Sequence, residues 1–423
     1  MRGRRGSWYA LPSMEAKQTD VLVIGAGPAG TAAAAILHRA GLSVRVVEAL
    51  RFPRFVIGES LLPHCMDILD EAGLLPDLEA RRYQRKAGAL FWKNGERCNF
   101  NFDEQFTKGW TWTWQVPRAD FDHTMAQTVE KMGVPVEWGT KVVAADFTKG
   151  PRVDLVAEDG ARSTVESRFV IDASGYGRVL PRLLDLDVPS HLPTRMALFT
   201  HVRGDRRPEG PDQDRIWICI HPQGNAWIWI IPFSDGRTSV GAVSTPDFFE
   251  RFGGKDDDER LRAILAAEPA TDSRITGSEF LFPATTLKGY SASVKRLHGP
   301  GFALVGNATE FLDPVFSSGV TLALESASRA ANLAIRELRG EAVDWERDFG
   351  AHMMRGVDVF RTFVTRWYDG TLPALFFAKR HEAAVRAQIC SILGGYVWDE
   401  QNPIVRDHAR RIPLLAGLAA QNA

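Results

Sequence analysis

Three groups of residues have types and spacing that chemistry can use. The first is Gly25-x-Gly27-x-x-Gly30, set between the apolar run Val21 to Ile24 and an alanine-rich stretch that Gly41 stops. The first glycine permits a tight turn. The second lets backbone amides approach a pyrophosphate, and the third lets a helix pack close to a strand. Glu48 ends the next apolar run, at the distance of an acid that accepts from ribose hydroxyls. Strand, turn, helix, strand and acid stand in the order a dinucleotide site needs, which predicts Gly25, Gly27, Ala29, Gly30 and Glu48 on the ligand. The second group is Ser317-Ser318-Gly319, at the start of a long helical pattern. Its first amides and positive dipole end suit an anion. Ser318 also reads as a simple helix cap, and the two roles are compatible. The third is Lys86. A buried lysine loses its charge and exposes a nucleophilic amine. The competing reading is a solvated charge, favoured by Arg85 and the surrounding "RRYQRK".

Two later segments favour FAD over NAD. "SRFVIDASGYG" (167–177) reads as another buried strand, ending in Asp172-Ala173-Ser174-Gly175. "GFALVGNATEFLDPVFSSGVTLALESASRAANLA" (301–334) reads as strand, loop and helix, with the helix start aimed back into the loop. Between them, "RIWICI", "AWIWIIP" and "TSVGAV" are separated by the turns "HPQGN" and "FSDGR" and predict an antiparallel sheet. "RVDLVAEDGARSTV" predicts a hairpin about Asp159-Gly160.

The chain has 423 residues, 45% hydrophobic and 24% charged, enough for a large core and more than one lobe. A net charge of -1 implies no attraction to nucleic acid or anionic membrane. Cys65, Cys98, Cys219 and Cys390 form no C-x-x-C and read as reduced thiols of a cytoplasmic protein, and the histidines show no metal pattern. His64 reads as a satisfied core or surface histidine. The basic start lacks the apolar stretch of a signal peptide, and Met14 is an alternative start. No apolar run reaches the roughly 18 residues of a spanning helix, so membrane contact is not expected.

Taken together, these segments resemble the single-component FAD fold of aromatic hydroxylases over roughly residues 19 to 340. Three further motifs narrow the resemblance to the flavin-dependent halogenases, nearer to the phenol and pyrrole types and relatives from aryl-polyene pigment clusters than to the longer tryptophan enzymes. They are "RFPRFVIGESLLP" (51–63), "KAGALFW" (86–92) and Trp227-Ile228-Trp229-Ile230-Ile231-Pro232, which fits W-x-W-x-I-P at every defined position. "EFLDPVFSSGV" matches the family's flavin and halide loop.

The resemblance implies an α/β fold. An FAD-binding Rossmann-type domain of the glutathione-reductase and aromatic-hydroxylase kind (18–84, 100–184 and 296–340) is interleaved with an antiparallel β substrate domain (85–99 and 185–295). A disordered leader (1–17) and a helical C-terminal lobe (341–423) complete the chain. It adds Glu59, Ser60, Arg118, Asp172, Asn307, Asp313, Pro314, Gly319 and Val320 to the FAD site, and puts the halide at Ser318 and Gly319. It implies reduced FAD from a separate flavin reductase, O2, and chloride or bromide. Hypohalous acid then passes to the catalytic Lys86, with Ser317 and Ser318 assisting, and on to a small aromatic substrate, free or tethered to an acyl-carrier protein. Trp227, Trp229 and Pro232 become a wall on the substrate side; plain core packing weighs equally for each tryptophan. Trp110, Trp112 and Trp114 read as core. Many relatives carry Gly-Asp where this chain has Gly306-Asn307; asparagine keeps the hydrogen bond to a ribityl hydroxyl without the charge. Glu310 stands near the loop, but no residue matches the tryptophan enzymes' catalytic glutamate. The rival readings are a flavin monooxygenase or other oxidoreductase of the same fold, and a non-catalytic flavoprotein.

Overall fold

The computed structural model describes residues 17–421 apart from 191, 211, 214, 380 and 381. The expected leader and the Met14 start lie outside the described residues, except that Lys17 already pairs with Val165.

Val21, Leu22 and Val23 are fully buried, because a parallel strand covered on both sides hides both of its faces. Lys17–Ile24 pairs in parallel with Val44–Glu48 on one side and Arg162–Asp172 on the other. Val136–Trp138 and Phe302–Leu304 extend this sheet at its two ends. Ile24 is opposite Asp172, and Asp172 opposite Leu304, so three strands end at one level. The segments that follow, beginning Gly25, Ala173 and Val305, therefore leave the sheet at one edge, where ligands of open parallel sheets bind. The helix Pro28–Arg39 buries Ala32 to Ala35 completely, and those small side chains let it lie against the long helix Ser318–Leu338. The expected hairpin forms: Arg152–Ala157 pairs with the start of Arg162–Asp172 around Gly160, whose φ of +83° suits glycine.

The second sheet is antiparallel through Met196–Arg203, Thr238–Ser244, Trp227–Pro232 and Ile216–Ile220. Gly88–Lys93 joins in parallel beside Ile216–Ile220, and Glu96–Asn101 closes that edge. Alternation sends Ile228 and Ile230 to one apolar cluster, under Phe248, Phe249 and Leu261, while Trp227, Trp229 and Ile231 face the main core. Gly241 makes room for this: a Cβ there would stand 2.4 Å from the Trp229 ring.

The C-terminal part is helical, with Ala351–Tyr368, Thr371–Phe376, Ala383–Leu393 and His408–Gln421 packed on the main core. Gly394 and Gly395 end the third of these, Gly395 with φ +92°. The four cysteines are free. No helix among the described residues is long and apolar enough to cross a membrane.

Candidate functional site

A cleft of about 340 Å³ opens where the glycine turn, the Ala173 loop, the start of the long helix and the second sheet meet. Its walls include Gly27, Ala29, Glu48, Glu59, Ser60, Arg118, Asn307, Pro314, Ser317, Gly319, Val320, Trp227 and Trp229. Segments nearly 300 residues apart in sequence thus meet at one site.

The glycine turn is shaped for close approach. Gly25 has φ +100°, and a Cβ on it would stand 2.5 Å from the Ala173 carbonyl oxygen. A Cβ on Gly30 would stand 1.9 Å from the Gly25 carbonyl oxygen. Neither glycine lines the cleft; both shape its floor. Glu48 accepts from the Ala26 amide at 2.8 Å and the Leu50 amide at 2.8 Å, which fixes the carboxylate at the strand end with lone pairs to spare for a ribose. This cradle, which added Cβ atoms would fill, fits the adenosine and pyrophosphate of FAD.

Arg118 forms a bidentate pair with Asp122, Nε to Oδ1 at 2.8 Å and Nη2 to Oδ2 at 3.0 Å. Arg54 shares that carboxylate at 3.0 Å and lines the cleft. Its Nη2 lies 3.5 Å from where a Cβ on Gly27 would be, over the turn that receives a pyrophosphate. Sequence reasoning missed Arg54. The signal was an arginine six residues past the acid that ends the second strand. Arg54→Ala should weaken FAD binding about tenfold, the worth of one half-buried charge-assisted phosphate contact. Fluorescence titration with FAD checks this, and an unchanged Kd would place Arg54 off the phosphates.

Ser317 has a left-handed φ of +56° and turns the chain into the long helix. Gly319 lies in the first helical turn and lines the cleft, with the Phe311 ring 3.1 Å from a Cβ placed there. Ser318 is 3% exposed and is not part of the cleft wall. A halide there would meet the helix amides and Gly319, with no help from the Ser318 hydroxyl. Gly306, with φ +59°, presents Asn307 to the cleft.

Asp172 and Asp313 are placed otherwise than expected. Asp172 is fully buried and accepts from the amides of Ser174 and Leu180. It shapes the loop and does not reach the cleft. Asp313 accepts from the Tyr368 hydroxyl at 2.9 Å and the Val315 amide at 3.1 Å. Burial pushes its carboxyl up to about 6, against the pull of Arg195. Pro232 also misses the cleft and ends its strand opposite Thr238. Glu310 pairs with Arg361 at 2.6 Å.

Trp227 and Trp229 form both core and wall. They are 2% and 4% exposed, and both line the cleft. Each indole is pinned by its nitrogen, Trp227 Nε1 donating to Tyr368 Oη at 2.8 Å and Trp229 Nε1 to Ser239 Oγ at 3.0 Å. The rings are thereby fixed in orientation. Trp114 is buried, whereas Trp110 and Trp112 are partly exposed, with the Arg85 guanidinium over Trp112. His64 is half-buried between Asp67 and Glu325.

Lys86 is 2% exposed and does not line the cleft. Its Nζ donates to the Leu61 carbonyl at 2.8 Å, on a segment whose preceding residues, Glu59 and Ser60, do line it. No carboxylate pairs with it among the described residues. Burial lowers its ammonium to about 7, against a small opposing pull from Cys65, which brings the free amine within reach near neutral pH.

The FAD binding domain family matches residues 18–349. The tryptophan 2-halogenase of Chondromyces crocatus is 33% identical over 84% of this chain and 68% of that protein. The 1H-pyrrole-2-carbonyl-[peptidyl-carrier protein] chlorinase of Pseudomonas fluorescens is 29% identical over 93% of this chain and 92% of that protein. A solved structure from Cytophaga hutchinsonii, described as a flavoprotein/dehydrogenase, superposes with a TM-score of 0.93 at 49% identity, over 96% of this chain and 100% of that one. The glycine cradle, the pinned tryptophan pair and the buried lysine stand in one fold with these relatives, and the chain belongs to the flavin-dependent halogenase family, as an FAD-containing oxidoreductase of a kind that works with halide and O2.

Proposed function

We propose that the chain halogenates an electron-rich aromatic substrate, a phenol, a pyrrole or an aryl group tethered to an acyl-carrier protein, using reduced FAD from a separate flavin reductase. The observation that carries this reading is Lys86: buried, with no acid partner among the described residues, one backbone segment behind the FAD cleft. Bound reduced FAD supplies, with O2, the two-electron oxidation that turns halide into hypohalous acid. The chain's own residues do the rest. Gly319 and the helix amides around it offer donors to the halide. Trp227 and Trp229 keep the organic substrate out of the cleft, so the oxidant meets halide first. The neutral Lys86 amine then takes the halogen: the N–X bond forms, the O–X bond breaks, and the amine proton leaves with hydroxide as water. The tethered-substrate reading draws on the carrier-protein chlorinase among the relatives.

The test is a coupled assay with flavin reductase, NADH, FAD and bromide, offered free phenols, indoles and pyrroles and a pyrrole-2-carbonyl carrier thioester, and read by mass spectrometry. Brominated product supports the reading. The similarity to a protein described as a flavoprotein/dehydrogenase favours a second one, a flavin oxidoreductase of the same fold. Turnover independent of bromide would establish that instead.

A further inference from the structure

Glu59 is a carboxylate with one oxygen accounted for and one left over. It is 1% exposed and lines the FAD cleft. Its carbonyl accepts from the Val116 amide at 2.8 Å, which fixes the backbone. Glu59 Oε1 stands 2.8 Å from His201 Nε2. Glu59 Oε2 is buried and has no hydrogen-bond partner among the described residues. A buried anion needs donors on both oxygens, and native interiors rarely leave one bare unless a proton or a ligand fills the place.

His201 comes from the second sheet, on Met196–Arg203. It is buried, and three phenyl rings surround it: Phe55, Phe233 and Phe282, with centroids 5.6, 5.3 and 5.1 Å from its own. Imidazole and carboxylate in contact form a pair that holds a proton and passes it on. Phe55 is 48% exposed, so solvent that reloads the pair is one side chain away.

The chemistry proposed for the cleft consumes protons. One halide and one O2 become one hypohalous acid and one water by taking up two electrons and three protons. The O–X bond forms and the O–O bond breaks. Reduced FAD supplies both electrons and at most two of the protons, so at least one comes from elsewhere. The other titratable side chains of the described cleft wall are poor donors. Arginine does not release its proton in proteins, which sets aside Arg54 and Arg118. The hydroxyls of Tyr176 and Tyr290 are pushed above an ordinary phenol's value, because the protein around them desolvates the phenolate. Both oxygens of Glu48 accept from backbone amides.

We propose that Glu59 is the proton donor for halide oxidation, with His201 as its positioning residue. The inference rests on the halogenase reading and adds the source of the proton. The proton leaves Glu59 for the oxygen set free when the O–O bond breaks, and His201 and solvent restore it. Without that proton the reduction of O2 has another outlet, hydrogen peroxide, which needs only the two protons that reduced FAD can carry.

Glu59→Gln keeps the shape and removes the acid. In the reductase-coupled reaction with bromide and an aromatic acceptor, brominated product per O2 consumed should fall about a hundredfold, the usual size of a lost proton donor, while hydrogen peroxide per O2 approaches one. Glu59→Asp, which restores an acid, should recover part of the product. His201→Leu should move the ratio the same way as Glu59→Gln by a smaller factor. In D2O the wild-type ratio should fall, because proton delivery slows, and the Glu59→Gln ratio should not change. FAD titrated by fluorescence should bind Glu59→Gln within about twofold of the wild type. A large loss of FAD affinity with unchanged product per bound FAD would make Glu59 a cofactor ligand only and overturn the proposal. Product per O2 at the wild-type level in Glu59→Gln also overturns it and leaves the halogenase reading standing. Hydrogen peroxide alone from the wild type, with every acceptor, overturns both.

Discussion

Lys86→Met should abolish halogenation, by about a thousandfold or more, while FAD stays bound. Methionine fills the same volume and cannot take a halogen on nitrogen. The same substitution should stabilise the fold. Burial lowers the Lys86 ammonium from 10.5 to about 7. Below pH 7 the folded chain carries a buried charge with no acid beside it among the described residues, a penalty of several kcal/mol that is fully present there. Between pH 7 and 10.5 the unfolded chain binds a proton that the folded chain does not, so this penalty is relieved as pH rises. The gain from Lys86→Met should therefore be largest below pH 7 and fade toward pH 10. Thermal midpoints of both proteins at pH 6 and pH 9 check this. A variant that is less stable at both values would mean that the lysine is a structural strut. The activity of the wild-type protein should in turn rise with a midpoint near pH 7, as the amine becomes neutral, if capture of the halogen limits the rate.

Gly30→Ala should be the most damaging single-methyl change in the cofactor domain. Its Cβ would lie 1.9 Å from the Gly25 carbonyl oxygen and 2.9 Å from the carbonyl carbon. Both are backbone atoms of a turn that is itself only 2.5 Å from the Ala173 oxygen if given a Cβ of its own. Nothing flexible is available to yield. The helix Pro28–Arg39 must move off the strand, which breaks its contact with the long helix that carries Gly319 and Val320. The cost is on the order of 3 kcal/mol or more. The expected result is protein purified without yellow colour and with a clearly lower thermal midpoint. Gly27→Ala is the control: its Cβ meets only the Arg54 side chain, at 3.5 Å, an ordinary contact. It should fold as the parent does and lose only FAD affinity. Gly30→Ala with full FAD retention would contradict this close packing.

Much of this arrangement is legible in the sequence because it depends on local rules. Glycines at fixed intervals between a buried strand and an alanine helix mean one backbone geometry, and Glu48 follows from the length of that unit. The alternation of Trp227 and Trp229 gave a shared face, and the structure shows that one face serves both as core and as cleft wall. Long-range facts were not legible. Asp172 ends its strand and Asp313 sits in a loop, each beside a residue that does line the cleft (Ala173 and Pro314), but their carboxylates turn to local amides and to Tyr368, a partner 55 residues away from Asp313. Ser318 reads as a ligand by its place at a helix start, yet helical rotation buries it while Gly319 faces the cleft. Arg54 is the converse case, a residue in an irregular segment placed by Asp122, which no periodicity connects to it.

The central claim is that a buried lysine behind the FAD cleft captures an oxidised halogen. The most direct measurement is mass spectrometry of the product formed with reductase, NADH, FAD, O2 and bromide, by the wild-type protein and by Lys86→Met in parallel, with FAD occupancy confirmed for both. A brominated aromatic product is expected from the wild type and none from the variant. A hydroxylated or dehydrogenated product that forms without bromide and is unchanged in the variant would contradict it.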